Sequence, residues 1–451
     1  MSARPAFPTA PAELLDELLK SAKAQGADAA DALLVEGTSS SLSCRLGEAE
    51  DLERSEGWDL GLRVLIGKRQ AVVSSSDLSS HALDELLNRA VAMARCVPED
   101  AYAGLADPDQ LATSIPDLDE YDPAEPTAEQ MIDMARACED AARAVKGITN
   151  SEGAGVSFGK STVYLAGTNG FNGTRQGSRF SLSVSVVAGE GTMMERDYDY
   201  SSAVWLSDLE DPTVIGTKAG ENTVRRLNPQ KAKSAQLPIV FDPRVASSLV
   251  GHLTGAINGH SVARGTTFLA AKMDKQVFAD GITIVDDPLR RRGLRSKPFD
   301  GEGIATKQRN LIDDGRLTTW ILDLSTSRQL GLETTGHASR GTSGPPSPSA
   351  TNVHLAPGNI TKIDLIAGIK SGFYVTELIG MGVNTITGDY SRGAGGFWIE
   401  NGEIAYPVNE VTIAGNLADM YMHMTPADDL EFKHATNAPT VRVDGMTIAG
   451  R

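Results

Sequence analysis

The C-terminal part of the chain contains the stretch GGFWIENGEI at residues 395–404, which predicts how that region folds. Asn401-Gly402 is a two-residue turn signal between two segments of β-forming character, as expected for a β-hairpin. A similar signal, Asp314-Gly315, lies upstream. From the compact strand at residues 237–241 onward, the chain is rich in glycine and in such turns. It therefore predicts a large antiparallel sheet assembly, and turn-joined strands argue against a doubly wound parallel fold.

The N-terminal part alternates between helical and strand-like patterns. Pro11 precedes a helically spaced apolar stripe at residues 14–22, and a second helical pattern covers residues 83–94. Between them, residues 42–46 and 58–66 alternate apolar and polar side chains, as half-buried strands do. The fold class predicted for the whole chain is α+β.

Composition and turn signals divide the chain into three units. An acidic segment with five prolines interrupts the early pattern and is too polar to pack as a core element. Thr127 and Gln130 then form a capping box that starts a new helix. The predicted units are an N-terminal α+β domain at 1–100 with an acidic, proline-containing linker at 97–126, a middle α+β domain at 127–229, and a β-rich C-terminal domain at 236–451.

The charge and composition exclude several classes of protein. The net charge of −17 disfavours a nucleic-acid or anionic-membrane partner, since both reward clustered lysine and arginine. No apolar run approaches the ~20 residues of a membrane-spanning helix, and residues 1–11 do not resemble a signal peptide. We therefore expect a cytoplasmic protein. Its cysteines, Cys44, Cys96 and Cys138, have no C-x-x-C spacing, so neither a disulfide framework nor a thiolate zinc site is expected.

A zinc hydrolase would need several metal ligands, usually including paired histidines on a helix. The chain has no H-E-x-x-H or H-E-x-x-x-H string. His252 and His260 come closest, but eight residues separate them by ~80° and ~12 Å on an ideal helix, so they cannot share one ion there. We interpret both as helix-surface or loop histidines. Folding could still gather the scattered histidines, which are His337, His354, His423 and His434.

Two other catalytic motifs are incomplete. A nucleophile elbow requires G-x-S-x-G, but the strings around Ser343 and Ser391 each lack one or both glycines, so both are interpreted as loop serines. Gly380-Met381-Gly382 follows an apolar run, as a dinucleotide fingerprint would, but Thr385 occupies the third glycine position. No helix follows to receive a pyrophosphate, so no dinucleotide cofactor is expected.

Two loop segments are weaker candidates for binding. Arg290, Arg291, Arg292 and Arg295 form a basic cluster that could grip carboxylates of a partner subunit or a peptide, although a solvated loop is the simpler interpretation. The proline-bearing loop at residues 342–348 is of a type that often lines a binding cleft.

Several longer strings resemble the TldD/PmbA family. They are GVNTITGDYS at 382–391, GGFWIENGEI at 395–404, PV at 407–408 with VTIAGN at 411–416, FDGEG at 299–303 and SPSATN at 347–352. The likeness extends over essentially the whole chain. The resemblance implies two branches that pair as a heterodimer, a TldD branch bearing H-E-x-x-x-H and a PmbA (TldE) branch without it.

This chain is similar to the PmbA branch. The string at residues 264–266, which resembles the one just after the metal motif, sets the motif's register on residues 250–255. Neither histidine position there is histidine, and the glutamate position is Gly251. The TldD branch also uses a late cysteine as a ligand, whereas the three cysteines here all precede residue 139.

The resemblance implies a metal-free subunit without catalytic residues, paired with a TldD-like subunit that supplies zinc and cleaves unfolded or small peptides. This chain would shape the cavity and hold peptide by main-chain pairing at a strand edge in its C-terminal part. For Asn384, Asp389, Ser391 and Arg392 we expect a cavity-lining loop near the partner's site. The alternative is that these residues merely shape a turn.

Two other functions remain open at this point. One is a stand-alone peptide-binding or chaperone-like module, possibly homodimeric. The other is independent hydrolysis through a constellation that the sequence does not reveal, with His252, His260 and His337 as the residues to test.

Overall fold

The computed structural model describes residues 10–450, so the expectation about a signal peptide at residues 1–11 falls almost entirely outside it. No helix within that range is long and apolar enough to cross a membrane. The helices of the described range are α1 (Pro11–Ala24), α2 (Ser80–Cys96), α3 (Ala128–Ala144), α4 (Pro212–Arg225), α5 (Pro243–Ala256), α6 (Gly259–Ala263), α7 (Leu324–Leu330), α8 (Lys362–Ala367) and α9 (Leu417–Met422).

The first half of the molecule is built on one antiparallel six-stranded sheet with the order β3-β2-β1-β4-β5-β6. β1 and β4 pair from Asp31↔Gly167 to Cys44↔Ala154, so the N-terminal and middle units share this sheet. Its strands are β1 (Ala29–Arg45), β2 (Glu48–Ile66), β3 (Arg69–Ser75), β4 (Ile148–Gly167), β5 (Asn172–Ala188) and β6 (Glu195–Ala203).

The two faces of this first sheet have different neighbours because side chains alternate along a strand. On β1, Leu34 packs with α1 and α2, and Leu42 packs with α3 and α4 further along the same face. Leu33 points the other way and packs against Phe299 of the C-terminal domain. The helices therefore cover one face, and the C-terminal domain covers part of the other.

The predicted linker at 97–126 is anchored along its length. Its one regular element is a 3-10 turn at Pro108–Gln110. Ala103, Ala106 and Leu118 are buried, and the Ala112 amide donates to the Gly303 carbonyl at 2.9 Å. The segment contributes no helix or strand to a core, but small apolar residues and backbone hydrogen bonds fix it to both halves.

The C-terminal domain contains a second six-stranded sheet with the order β16-β15-β14-β7-β19-β17. An additional pairing of β16 with β19 at Thr412–Ala414 joins the two sides of the sheet into a ring. β7 and β14 run parallel, so the domain is not purely antiparallel as the hairpin signals alone suggested. The strands are β7 (Ala235–Phe241), β14 (Ser371–Ile379), β15 (Asp389–Glu400), β16 (Glu403–Asn416), β17 (Met424–Pro426) and β19 (Val441–Ala449).

Shorter strands complete the domain. A five-stranded sheet has the order β10-β9-β8-β13-β18, and β11 pairs with β12. These strands are β8 (Ile284–Asp286), β9 (Arg309–Asp313), β10 (Arg316–Leu317), β11 (Ala338–Ser339), β12 (Ser347–Pro348), β13 (Val353–Leu355) and β18 (Thr436–Asn437).

Helix α5 lies against the core between these sheets. Asp242 caps its N-terminus by accepting from the Arg244 amide, and Pro243 occupies the first helical position, where its missing N–H costs nothing. Its buried stripe includes Leu249, Val250 and Leu253. The opposite side of α5 faces solvent and forms the floor of the candidate site.

Candidate functional site

The solvent face of α5 is bare where the TldD-type metal motif would carry side chains. Gly251 and Gly255, one helical turn apart, are exposed, and a Cβ added to either would contact nothing within 4 Å. Val250 is only 2% exposed and points into the core. The positions that carry the metal motif in the TldD branch therefore hold one buried apolar side chain and two glycines that face open space.

Half-buried His252 and buried Tyr390 form a pair beside this face. The His252 ring meets the Tyr390 ring edge-on, with 5.9 Å between centroids. Neither His252 Nε2 nor the Tyr390 hydroxyl has a hydrogen-bond partner in the described chain, although both atoms are buried. Burial, assisted by the charge of Arg392, lowers the pKa of His252, so its imidazole is neutral at pH 7. Burial also raises the pKa of Tyr390.

These residues do not fit a zinc ion. A cation near His252 would lie in the repulsive field of Arg392, which already disfavours the imidazolium. Within residues 10–450, no group of three or more His, Cys, Asp or Glu side chains is placed to hold a metal ion. A catalytic zinc needs three protein ligands, and a single imidazole beside a guanidinium does not supply them.

The four predicted site residues lie in or just before the start of β15, which carries Tyr390, but only Asn384 is in a loop. Asp389, Ser391 and Arg392 belong to the start of β15, where they pair with Asn416, Ala414 and Ile413 of β16. The expectation of a loop for these three residues, including Ser391 as a loop serine, is wrong because the turn ends earlier, at Gly388.

The side chains of Asn384 and Asp389 form hydrogen bonds within the turn itself. The Asn384 side chain accepts from the Ile386 amide at 3.0 Å, and the Asp389 carboxylate accepts from the Thr387 hydroxyl at 2.6 Å. Ser391 is exposed, and Arg392 is half-buried and acts electrostatically on His252. Of the four, Arg392 is the residue that the fold brings to the His252–Tyr390 pair.

The turn next to this pair exposes an apolar patch. Ile379, Met381 and Ile386 are 60%, 89% and 57% exposed, respectively. Ile379 is the last residue of β14, and the other two lie in the connection to β15. A group of exposed apolar side chains is typical of protein interaction surfaces. We refer to these three residues as the Met381 patch.

The other histidines are not gathered into one site. His337 is buried between Asp286 (Nε2 to Oδ2, 2.5 Å) and Thr335 (Nδ1 to Oγ1, 2.8 Å), where it ties strands together. His434 stacks on Tyr200 with 5.1 Å between centroids. His260 lies on α6, a separate helix from the one that carries His252, so the two share no helix face.

The basic cluster and the proline-bearing loop make contacts within the chain. Arg292 donates to Asp119 at 2.6 Å and to Asp208 at 2.9 Å, and Arg290 lies 3.5 Å over the ring of Phe432. In the loop at 342–348, the Thr342 hydroxyl donates to Asp59 of the first sheet. Exposed Arg291 and Arg295 are the members of the cluster best placed for an external carboxylate.

A charged cleft between the middle and C-terminal units was not anticipated from the sequence. Its volume is about 370 Å³, and it is lined by groups of both signs together with the aromatic rings of Tyr200 and Tyr374. Arg244 donates to Asp197 at 2.8 Å and lies 4.6 Å over the ring of Tyr198. These residues are far apart in sequence and belong to no motif, so no local signal could have identified them.

Comparison with known proteins matches all three parts of the chain to family models. Residues 30–94 match domain 1, residues 121–227 the central domain, and residues 234–450 the C-terminal domain of PmbA/TldA metallopeptidases. The Metalloprotease PmbA of Escherichia coli O157:H7 is 40% identical over 435 residues, covering 96% of this chain and 94% of that protein. A Metalloprotease PmbA homolog of Haemophilus influenzae is 36% identical, covering 91% and 90%.

Solved structures share the fold over nearly the full length. A proposed modulator of DNA gyrase from Bacteroides thetaiotaomicron superposes with a TM-score of 0.89 at 28% identity, covering 97% of this chain and 98% of that one. TldE from Thermococcus kodakarensis has a TM-score of 0.84 at 20% identity, covering 97% and 100%. At that identity, the second likeness shows the fold alone.

Proposed function

This chain belongs to the PmbA/TldD metallopeptidase family, and from that membership we propose that it is the metal-free, non-catalytic subunit of a heterodimeric zinc metallopeptidase. In this proposal a TldD-like partner holds the zinc and cleaves unfolded or small peptides, in the cytoplasm. The observation that carries the proposal is the solvent face of α5, where Gly251 and Gly255 occupy the motif register and leave open space. That face, with Arg392 beside it, suits contact with a second molecule better than ligation of a cation.

The Met381 patch supports a partner at the same place. It adjoins β15 and its Arg392, so a subunit seated on it would also close over α5. Covering three large exposed apolar side chains would contribute about 1.5–3 kcal/mol each if their burial is complete. Peptide would then be held between the two subunits, with this chain forming part of the wall.

The direct test measures zinc content and peptide cleavage for this chain alone, for a TldD-like partner alone, and for an equimolar mixture. We expect cleavage only in the mixture, with zinc following the partner. Stoichiometric zinc and cleavage by this chain alone would overturn the proposal. A stable homodimer that binds peptide and ignores the partner would instead favour a chaperone-like module.

A variant pair tests the surface. Met381→Glu places a charge in the patch and should weaken assembly with the partner at least tenfold, which is ~1.4 kcal/mol. Ile363→Glu is the matched control, because Ile363 is 78% exposed on α8, outside the patch. Analytical ultracentrifugation of each mixture gives the affinities. Equal affinities for the two variants would remove the patch from the interface.

A further inference from the structure

A small cavity lies between the open face of the first sheet and the C-terminal domain, away from α5. Its volume is about 100 Å³, well above the ~30 Å³ that one water occupies in the liquid. Leu33 and Leu165 of the sheet and Phe299 of the C-terminal domain give it apolar walls. Its charged lining residues are the cationic Arg175, Lys297 and Arg340 and the acidic Asp300, and Ser339 is a neutral polar member.

Arg340, which lines this cavity, has donors without acceptors. Its side chain is 1% exposed, and Nη1 pairs with Asp31 Oδ1 at 2.6 Å. Its Nε and Nη2 are buried and have no hydrogen-bond partner in the described chain. A buried donor left unpaired costs about 1–3 kcal/mol, and more when it is charged. An external acceptor would recover that energy.

Arg175 and Lys297 add two further positive charges that no carboxylate pairs with in the described chain. No hydrogen bond or ion pair involves the Arg175 side chain within residues 10–450, and Glu120 acts on it only at a distance. Lys297 donates to the Ala338 carbonyl at 3.0 Å. Burial, reinforced by Arg175, lowers the pKa of Lys297 to about 8 even though Asp300 opposes the shift, so the amine remains mostly protonated at pH 7.

Asp300 is the one carboxylate among the lining residues, against three cationic side chains, and its oxygens also have other hydrogen-bond donors. The oxygens accept from the amides of Glu302, Ile304 and Ala338 at 2.9 to 3.0 Å. Asp31 is likewise shared between Arg63 and Arg340. The cationic side chains of the lining therefore outnumber the carboxylates that face them, which favours an incoming anion.

A larger cavity of about 620 Å³ adjoins the small one, and Val35 and Arg175 line both. Its floor is a row of small residues across four strands, in which Gly57 pairs with Gly37, Gly37 with Ser161, and Ser161 with Gly177. A molecule longer than the small cavity therefore has room to extend over the sheet.

We propose that the cavity binds the carboxylate of a ligand that carries an aliphatic group next to it. Arginine matches a carboxylate with two parallel N–H donors, and Leu33, Leu165 and Phe299 would pack around the aliphatic group. A peptide C-terminus with a leucine-like last residue and a free branched-chain acid share this chemistry. The inference does not depend on the proposed function.

Calorimetric titration of the full chain at pH 7 tests the proposal with N-acetyl-leucine, isovalerate and N-acetyl-leucinamide. The two acids should bind and the amide should not. Arg175→Met and Lys297→Met should each weaken binding about tenfold, or ~1.4 kcal/mol. The control is Arg264→Gln, which removes one positive charge from an exposed position outside the cavity and should leave the affinity unchanged. Arg340 is left intact because its bond to Asp31 ties the two halves together.

Comparing the two acids shows whether the carboxylate comes from a peptide C-terminus or from a free acid. Binding of N-acetyl-leucine that exceeds that of isovalerate identifies a peptide C-terminus, and the reverse identifies a free acid. Equal binding of acid and amide overturns the proposal. It is also overturned if neither acid gives binding heat at about tenfold above a ~1 mM Kd. Acid binding that both methionine variants retain in full also overturns it.

Discussion

Two tyrosines of the C-terminal core have hydroxyls in opposite circumstances. Tyr390 and Tyr421 are both almost fully buried. The Tyr421 hydroxyl donates to the Leu249 carbonyl of α5 at 3.0 Å, whereas the Tyr390 hydroxyl has no partner in the described chain. A buried hydrogen bond contributes about 1 kcal/mol, and a buried orphan group costs about as much or more.

Removing each hydroxyl should therefore have opposite effects on stability. Tyr421→Phe should lower the free energy of unfolding by about 1 kcal/mol, while Tyr390→Phe should leave it unchanged or raise it by up to about 1 kcal/mol. Urea unfolding followed by far-UV circular dichroism measures both. A loss of stability in Tyr390→Phe would mean that its hydroxyl has a partner, for instance a bound water.

Glu302 is a buried carboxyl whose titration should make the stability of the protein depend on pH. It is 8% exposed and accepts from the Leu324 amide at 2.9 Å. Burial and the neighbouring charge of Asp300 raise its pKa to about 8, although Arg63 opposes the shift. The folded state therefore holds a proton that the unfolded state releases near pH 4.5.

The sign of the effect follows from this proton. Because the folded chain binds more protons at Glu302 between pH 4.5 and 8, its contribution to stability declines as the pH rises through that window. The Glu302→Gln variant cannot titrate, so wild type should lose stability relative to it from pH 5 to pH 8. Thermal unfolding across this range measures the difference, with exposed Glu13→Gln as the control. A difference that does not change with pH would contradict the assignment.

At the scale of elements, glycines in two helices have contrasting surroundings. On α4, a Cβ added to Gly216 would lie 2.1 Å from the Cys138 carbonyl oxygen of α3, so the two helices pack through the missing side chain. On α5, Gly251 and Gly255 face open space. The first glycine is required by packing, whereas the other two lower the intrinsic stability of their helix.

Alanine substitution should separate these roles. Gly216→Ala should destabilise the protein by about 1–3 kcal/mol through overpacking. Gly251→Ala and Gly255→Ala should each stabilise the isolated chain by about 0.5–1 kcal/mol. Chemical denaturation gives the ranking, and destabilisation by the α5 variants would show that their face is filled in the isolated chain.

Elements set by local chemistry were predictable from the sequence. The capping box of Thr127 and Gln130 begins α3, Asp211 caps α4, and the hairpin at Asn401-Gly402 joins β15 to β16. Each signal lies within a few residues of the structure it specifies. The start of β15 at Asp389 was missed because its pairing with Asn416 depends on a strand more than twenty residues away.

At the scale of the whole molecule, Arg226 links the middle unit to the C-terminal domain. It follows α4 and pairs with Glu195 and Asp197 of β6 and with Glu377 of β14. Its side chain is 11% exposed, so these charges are largely removed from water. Buried ion pairs are costly to break because one partner is left uncompensated.

The Arg226→Gln variant should lose about 3 kcal/mol of stability, because Glu195 and Glu377 would be left close together without their cation, whereas Asp197 keeps Arg244. Arg54→Gln, which breaks exposed pairs with Glu56 and Glu125, should lose less than about 1 kcal/mol. Denaturation of both variants in parallel makes the comparison. Equal small losses would indicate that water reaches the Arg226 network.

Long-range contacts of this kind set the limit of the sequence prediction. Neither the pairing of β1 with β4 nor the parallel pairing of β7 with β14 leaves a local pattern, since the partners are more than a hundred residues apart. The resemblance to a family predicted one turn as a cavity wall, and that role stays a prediction. Its orphan His252–Tyr390 pair appears only when α5 and β15 meet.

The ring of strands in the C-terminal domain also affects how the domain is made. Its first strand, β7, pairs with β19 through Val441↔Phe241 to Ile448↔Ala235. A ribosome that adds roughly 5–20 residues per second leaves β7 without that neighbour for on the order of ten seconds or more. The first sheet can complete its pairing during synthesis, whereas the ring can close only after β19 has left the exit tunnel.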